Sequence, residues 1–327
     1  MIKLAIIGTN WITEKFIDAA LQTGLYQLSA VYSRSEEKAA QFAKKYGDLI
    51  LYTDINQLLN SSVVDAVYIA SPNSLHFEQA KQLLESGKDV ICEKPLASNY
   101  SQVRTLIETA KAHNQIIFEA LKSYYLPNFD RIKSYLPKLG KLRKVLLSYC
   151  QYSSRYQLYL DGQNPNTFNP AFSNGSIMDI GVYPLNVAVA LWGKPNHISA
   201  DALLLDSGVD GHGTVLMKYD GFDVVIWHSK VSDSCLASEI QGEDGSLIIE
   251  HLSVGEKVLY KPRQGELQDI TALQIDNEMY YEAVKFAKAI EQRDIDHQGL
   301  TYSLISAKLL TEIRQQTGVI FPADKLS

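Results

Sequence analysis

The chain has 327 residues, 46% hydrophobic and 21% charged, with a formal net charge of -6. That balance belongs to a folded globular protein with length enough for two domains of ordinary size. The acidic excess is mild and no long basic run occurs, which argues against nucleic acid as a partner.

The opening run Met1–Gly8 is too short for a signal peptide, and no small-residue cleavage site follows it. No apolar stretch is expected to cross a bilayer, so membrane association is not expected. Cys92, Cys150 and Cys235 are widely spaced and odd in number, which fits a reducing compartment and a cytoplasmic location. The seven histidines never fall at ligand spacing, and no metal site is expected.

The first 120 residues alternate strand and helix patterns. Lys3–Ile7 is a short apolar run ending in a glycine turn, and Ile12, Phe16, Ala19 and Ala20 recur at helical spacing up to Gly24. Leu28–Tyr32 reads as a second strand, and Ser35 caps a helix running to Tyr46. Leu49–Tyr52, Val63–Ala70, Asp89–Cys92 and Ile116–Ala120 complete the strand candidates, with helices over about 74–85 and 98–113 between them. Runs that are apolar throughout and separated by helices predict a doubly wound parallel sheet covered on both faces, the Rossmann arrangement. The domain boundary is placed near residue 121, giving domains over 1–121 and 122–327.

Beyond it the pattern changes. A helix is expected over 128–135, a tyrosine-rich strand over 145–156, a long loop over 161–175 and a helix over 175–191. Four β-like segments follow, near 197–205, 213–219, 222–231 and 235–262, with turn pairs at Asp220-Gly221 and Asp244-Gly245. Two amphipathic helices, about 276–291 and 299–316, close the chain. This second domain is expected to be α/β with an open, largely antiparallel sheet. Its strands carry apolar residues on both faces, as in Val224 and Ile226 against Val225 and Trp227, so one face is expected to meet a partner in a homodimer.

Five motifs carry chemistry. Gly8-Thr9-Asn10-Trp11-Ile12-Thr13 joins the first strand to the first helix. A dinucleotide-binding turn places glycine at its first, third and sixth positions, and only Gly8 matches. The motif reads either as a phosphate site at a helix N-terminus or as a plain strand–turn–helix corner. Asparagine at position 10 tolerates left-handed backbone. The second strand ends in Ser33-Arg34 without an adjacent carboxylate, and Lys38 lies nearby, which reads either as a 2′-phosphate site and hence NADP, with NAD as the alternative, or as a solvated arginine at a helix start. Ser71-Pro72-Asn73, with His76 a turn further on, follows the most apolar strand and reads either as part of the edge where such sheets bind ligands or as a capped helix start with a surface histidine. Glu93-Lys94-Pro95 ends the fifth strand on the same edge and reads as a crevice ammonium or as a structural Lys–Glu pair. In the second domain Asp179 and Tyr183 stand four apart, on one helical face, with Pro184 marking a first turn or a kink.

In order and spacing these motifs resemble the Gfo/Idh/MocA oxidoreductases, the family of glucose–fructose oxidoreductase and inositol dehydrogenase. Asp179-x-Gly181-x-Tyr183, ending in tyrosine, is similar to the branch with dimeric dihydrodiol dehydrogenase. The resemblance implies that Lys94 is the active-site lysine, with Asp179 and Tyr183 on the substrate side. It implies that Gly8, Ile12, Ser33, Arg34, Ser71, Asn73, His76 and Glu93 line the cofactor; Thr9, Asn10, Trp11 and Lys38 are candidates beside them. The expected activity is hydride transfer between nicotinamide and a hydroxyl or carbonyl of a sugar, polyol or dihydrodiol, in the interdomain cleft. A non-catalytic dinucleotide-binding regulator of the same fold is the alternative. The resemblance also raises a cis Lys94–Pro95 peptide as an alternative to the usual trans form.

Overall fold

The computed structural model describes residues 1–325. The chain divides into two compact units, Met1–Ala120 with Ile275–Ser303, and Leu121–Gln274 with the residues from Leu304 onward. The segment 275–303, expected in the second domain, is therefore part of the first unit.

The first unit runs β1 (Ile2–Ile7), α1 (Trp11–Gln22), β2 (Tyr26–Tyr32), α2 (Glu36–Ala43), β3 (Ile50–Tyr52) and α3 (Ile55–Leu59). It continues through β4 (Ala66–Ile69), α4 (Asn73–Glu85), β5 (Asp89–Glu93), α5 (Tyr100–Ala112) and β6 (Ile117–Ala120). The strands lie in the order β3-β2-β1-β4-β5-β6, every neighbouring pair parallel. This is the doubly wound order, with its reversal between β1 and β4. All four residues of β4 and the stretches Leu4–Ile7 and Val90–Cys92 are buried, as a sheet covered on both faces requires. Helix starts are set by side-chain caps: Asn10, Ser35, Asp54 and Asn99 accept amide hydrogens of α1, α2, α3 and α5.

The second unit holds α6 (Pro127–Tyr135), β7 (Leu142–Cys150), α7 (Tyr156–Leu160), a π turn over Ile177–Gly181 and α8 (Val182–Trp192). Then come β8 (His197–Leu204), β9 (Asp210–Tyr219), β10 (Phe222–Ser229), β11 (Ser238–Gly242), β12 (Gly245–Glu250), β13 (Lys257–Pro262) and β14 (Gln268–Asp269). The sheet order is β14-β13-β12-β11-β7-β10-β9-β8. All pairs are antiparallel except β7 with β10. The tyrosine-rich strand ends at Cys150 rather than 156, and the apparent strand over 235–262 is three strands. Asp220-Gly221 forms the β9–β10 turn, whereas the β11–β12 turn is Glu243-Asp244, with Gly245 already in β12. One face of the sheet is buried through Val145, Leu147, Met217, Val224, Ile226, Ile240 and Leu247.

α9 (Met279–Gln292) and α10 (Gln298–Thr317) close the chain. The Tyr26 hydroxyl donates to the Ala283 carbonyl at 2.6 Å, fixing α9 on the first unit. Pro170–Trp192 is long and apolar enough to span a membrane, contrary to the expectation that no stretch qualifies. Within the fold, 78% of its most apolar window is buried, as in a core helix of the second unit.

Candidate functional site

In the first unit the candidate residues gather at the C-terminal ends of β1, β2, β4 and β5. Gly8 ends β1 with φ +108, and a Cβ there would sit 2.8 Å from the Ala70 carbonyl oxygen. Only glycine meets both the backbone sign and this close approach. Asn10 is extended (φ -103), not left-handed. Its value is as a cap: Oδ1 accepts from the amides of Ile12 and Thr13 at 3.1 and 3.2 Å, and Nδ2 donates to Ala70 O at 3.0 Å. Thr13, at the third glycine position, is fully buried in α1. Trp11, the first residue of α1, is 70% exposed.

Thr9 and Lys38 line one hollow of about 320 Å³ together with Glu14, Gln41, Phe42 and Lys45. Lys45 pairs with Glu14. Ser33 and the exposed Arg34 follow β2, where the Ser33 hydroxyl accepts from the Ser35 amide at 3.3 Å. The half-buried Ile12 lies one residue into α1. A glycine-only approach at Gly8, a helix N-terminus behind it and cationic side chains beyond β2 fit a dinucleotide and its phosphates.

Beyond β4, the Ser71 hydroxyl donates to Gln79 at 2.6 Å, and Asn73 opens α4. His76 is 0% exposed. Its Nδ1 lies 2.9 Å from the Pro95 carbonyl and its Nε2 2.9 Å from the Ser71 carbonyl. Burial pushes its pKa down, against the pull of those two carbonyls. His76 thus braces the loop after β4 against the loop after β5 and presents no ring nitrogen to a ligand. Glu93 is equally committed: it accepts from the Tyr68 hydroxyl at 2.7 Å and from the Lys94 amide at 3.3 Å. The Tyr68 ring stacks on Phe16 of α1, centroids 3.9 Å apart. The half-buried Lys94 follows, and its peptide to Pro95 is cis.

In the second unit, Asp179 and Tyr183 flank the junction of the π turn with α8, so the helix is continuous but locally widened. Pro184 explains the widening. It has no N–H to bond, and its ring would press on the carbonyl four residues back. The turn is held from below. The Ile177 amide donates to Asp210 Oδ2 at 2.6 Å, and the Ser176 hydroxyl lies 2.9 Å from His228 Nδ1. A side chain at Gly175 (φ +134) would fall onto the Asp210 carboxylate. Tyr149, at the end of β7, sets its ring 5.7 Å from that of Tyr183. Asp179 is ion-paired with Lys230.

Lys230, Asp210, His228 and Tyr149 are missing from the sequence-derived set. Each lies about 30 to 50 residues from the motif it serves, and only strand pairing brings them together. Tyr149 gave the one available signal, by opening the tyrosine-rich stretch.

Residues 2–121 match the model of the oxidoreductase family with an NAD-binding Rossmann fold, and residues 137–248 match the GFO/IDH/MocA C-terminal domain. The chain is 57% identical to the uncharacterized oxidoreductase YgjR of Escherichia coli (strain K12) over 326 residues, covering 100% of this chain and 99% of that one. It is 45% identical to scyllo-inositol 2-dehydrogenase (NADP(+)) IolU of Bacillus subtilis (strain 168), over 99% of this chain and 100% of the relative. Among solved structures, KijD10, a 3-ketoreductase from Actinomadura kijaniata crystallised with NADP and TDP-benzene, superposes with a TM-score of 0.85 at 21% identity. The match covers 97% of this chain and 98% of that one. The fold, both domain matches and full-length similarity at up to 57% identity place this chain in the Gfo/Idh/MocA family of NAD(P)-dependent oxidoreductases.

Proposed function

We propose that this protein is an NADP-preferring dehydrogenase of a cyclic polyol or sugar, with scyllo-inositol the first substrate to try. The observation that carries the reading is the 45% identity, along the whole of both chains, to an NADP-dependent scyllo-inositol 2-dehydrogenase. When bound, the nicotinamide supplies the hydride chemistry. Gly8 and the start of α1 hold the pyrophosphate, with Thr9, Asn10, Trp11 and Ile12 lining the turn. Ser33, Arg34 and Lys38 hold the 2′-phosphate, where a guanidinium makes a charge-assisted pair that NAD cannot offer. Ser71, Asn73 and Glu93 line the cofactor, and His76 supports them from behind.

Lys94 and Tyr183 handle the proton of the reacting hydroxyl. An ammonium stabilises a phenolate, so Tyr183 as phenolate takes the hydroxyl proton during oxidation, becoming the phenol, and as phenol returns it during reduction. Asp179 anchors a neighbouring hydroxyl. The protein works as a homodimer through the open face of its second sheet, in the cytoplasm.

Steady-state turnover of scyllo-inositol with NADP tests the reading. Lys94→Met and Tyr183→Phe should each lower kcat by about 10²–10⁴-fold, the usual contribution of a general acid–base group, and leave NADPH binding intact. Near-normal turnover in both would place the chemistry elsewhere. Titration with both cofactors should show tighter NADP, and Arg34→Ala should weaken NADP selectively; equal affinities in the wild type would remove the NADP preference.

A further inference from the structure

Lys230 is an unusual place for an ammonium. It follows the last residue of β10, and its main chain is fixed on both sides: its amide donates to Gly211 O at 2.9 Å and its carbonyl accepts from the Ser153 amide at 2.9 Å. Its side chain is only 9% exposed and pairs with Asp179, which is 29% exposed. A buried ammonium costs several kcal/mol in lost hydration unless a partner offsets it, and joining a strand end to a helix needs no such charge. The asymmetry of exposure gives the pair a direction. The cation lies beneath and the carboxylate lies outward, on the rim that also carries Tyr183 and, against its ring, Tyr149.

The pair is braced. Asp179 sits in the π turn, whose first amide, that of Ile177, donates to Asp210, and Ser176 just before the turn lies against His228. Lys230 follows on from the same strand as His228, two residues later. A carboxylate held this way accepts hydrogen bonds and donates none. It therefore reads a hydroxyl rather than a carbonyl or ether at the position it faces.

We infer that Lys230 is a positioning residue of the substrate site, fixing the Asp179 carboxylate as the acceptor for the hydroxyl next to the one that reacts. This rests on the proposed role of Asp179 on the substrate side. The substrate class it implies is a ring bearing at least two adjacent hydroxyls, whose apolar face can lie against Tyr149.

The test uses the full-length protein with NADP, scyllo-inositol and a deoxy analogue lacking the neighbouring hydroxyl. Lys230→Met should lower kcat/KM for scyllo-inositol about 10- to 100-fold, the range of a hydrogen bond to a charged group. It should change kcat/KM for the deoxy analogue less than about threefold and leave the NADPH Kd unchanged. Lys230→Arg should restore most of the loss. Asp179→Asn and the double variant should be about equally impaired, because the two side chains act as one unit. If Lys230→Met does not fold, Lys230→Gln and Lys230→Arg are compared on the same two substrates. Equal losses on both substrates, or losses at Asp179 and Lys230 that simply multiply, would overturn the inference while leaving polyol oxidation in place. A wild-type protein that oxidises no polyol with NADP removes the functional reading and this inference with it.

Discussion

At the residue scale the most informative pair is Asp210 with His228, both almost fully buried, Oδ2 and Nδ1 3.7 Å apart. Burial pushes Asp210 up from 3.8 to about 6, although the Ile177 and Ser176 amides pull it down. Burial also drives His228 from 6.5 to about 3, and nearby His212 adds to the fall. The two act on stability with opposite sign. A carboxyl that holds its proton more tightly when folded adds stability below pH 4 that is lost as pH rises through about 6. An imidazole buried neutral adds stability above pH 6.5 that is lost as pH falls towards about 3. Between these limits the two slopes cancel. Asp210→Asn should therefore lose stability relative to wild type as the pH drops from about 6 to 4, and His228→Gln should gain, each by up to ~1.4 kcal/mol per pH unit. Denaturant titrations across that range read the difference directly, and flat differences for both variants would contradict it. None of this is legible in the sequence, where Asp210 and His228 are an acid and a histidine 18 positions apart with no motif around them. His76 teaches the same lesson differently: its motif was visible, but not that both its ring nitrogens face carbonyls within the protein.

At the element scale, the β1–α1 turn and the π turn before α8 show what local pattern reveals and what it hides. Gly8 at φ +108, packed on the Ala70 carbonyl, makes a sharp prediction. Gly8→Ala combines a strained backbone with a displaced β4 end, so it should cost about 1–3 kcal/mol and weaken NADP binding. Thermal unfolding and a fluorescence titration check both; an unaffected Kd would detach Gly8 from the cofactor. The parallel strands were readable because their central residues are mainly apolar, and the cap at Ser35 because a side-chain oxygen before a helical run has few other uses, whereas the capping role of Asn10 was hidden behind its place in the glycine turn. α3, only five residues long, gave no periodicity to see. The π turn was hidden as well: Pro184 announced a disturbance, but its form depends on Asp210 and His228 arriving from β9 and β10.

For the whole molecule, the second sheet presents its unburied face with Leu203 52% and Trp227 37% exposed, and with Leu146, Leu216 and Val225 half-buried. Exposed apolar side chains ranged on one surface suit association. Leu203→Glu with Trp227→Arg should shift light scattering from dimer to monomer at micromolar concentration without lowering the melting temperature by more than a few degrees. A wild-type monomer would refute the dimer outright. Sheet type, strand faces and both terminal helices were legible from alternation and turn residues. The return of 275–303 to the first unit was not, because no local signal says which core a helix will cover. The central position of β7 has a consequence for how the chain reaches this state. Its two neighbours lie far downstream, with Lys144 opposite Asp223 and Leu146 opposite Glu239. Loop closure must be met before such distant pairing repays it. On a ribosome, β7 emerges and waits while about eighty more residues are made, its Val145 and Leu147 uncovered, whereas β1 finds β2 within about two dozen. Pulsed hydrogen exchange during refolding should therefore show the amides of β1 and β2 protected before those of β7, and a chain ending before β10 should leave β7 exchanging freely.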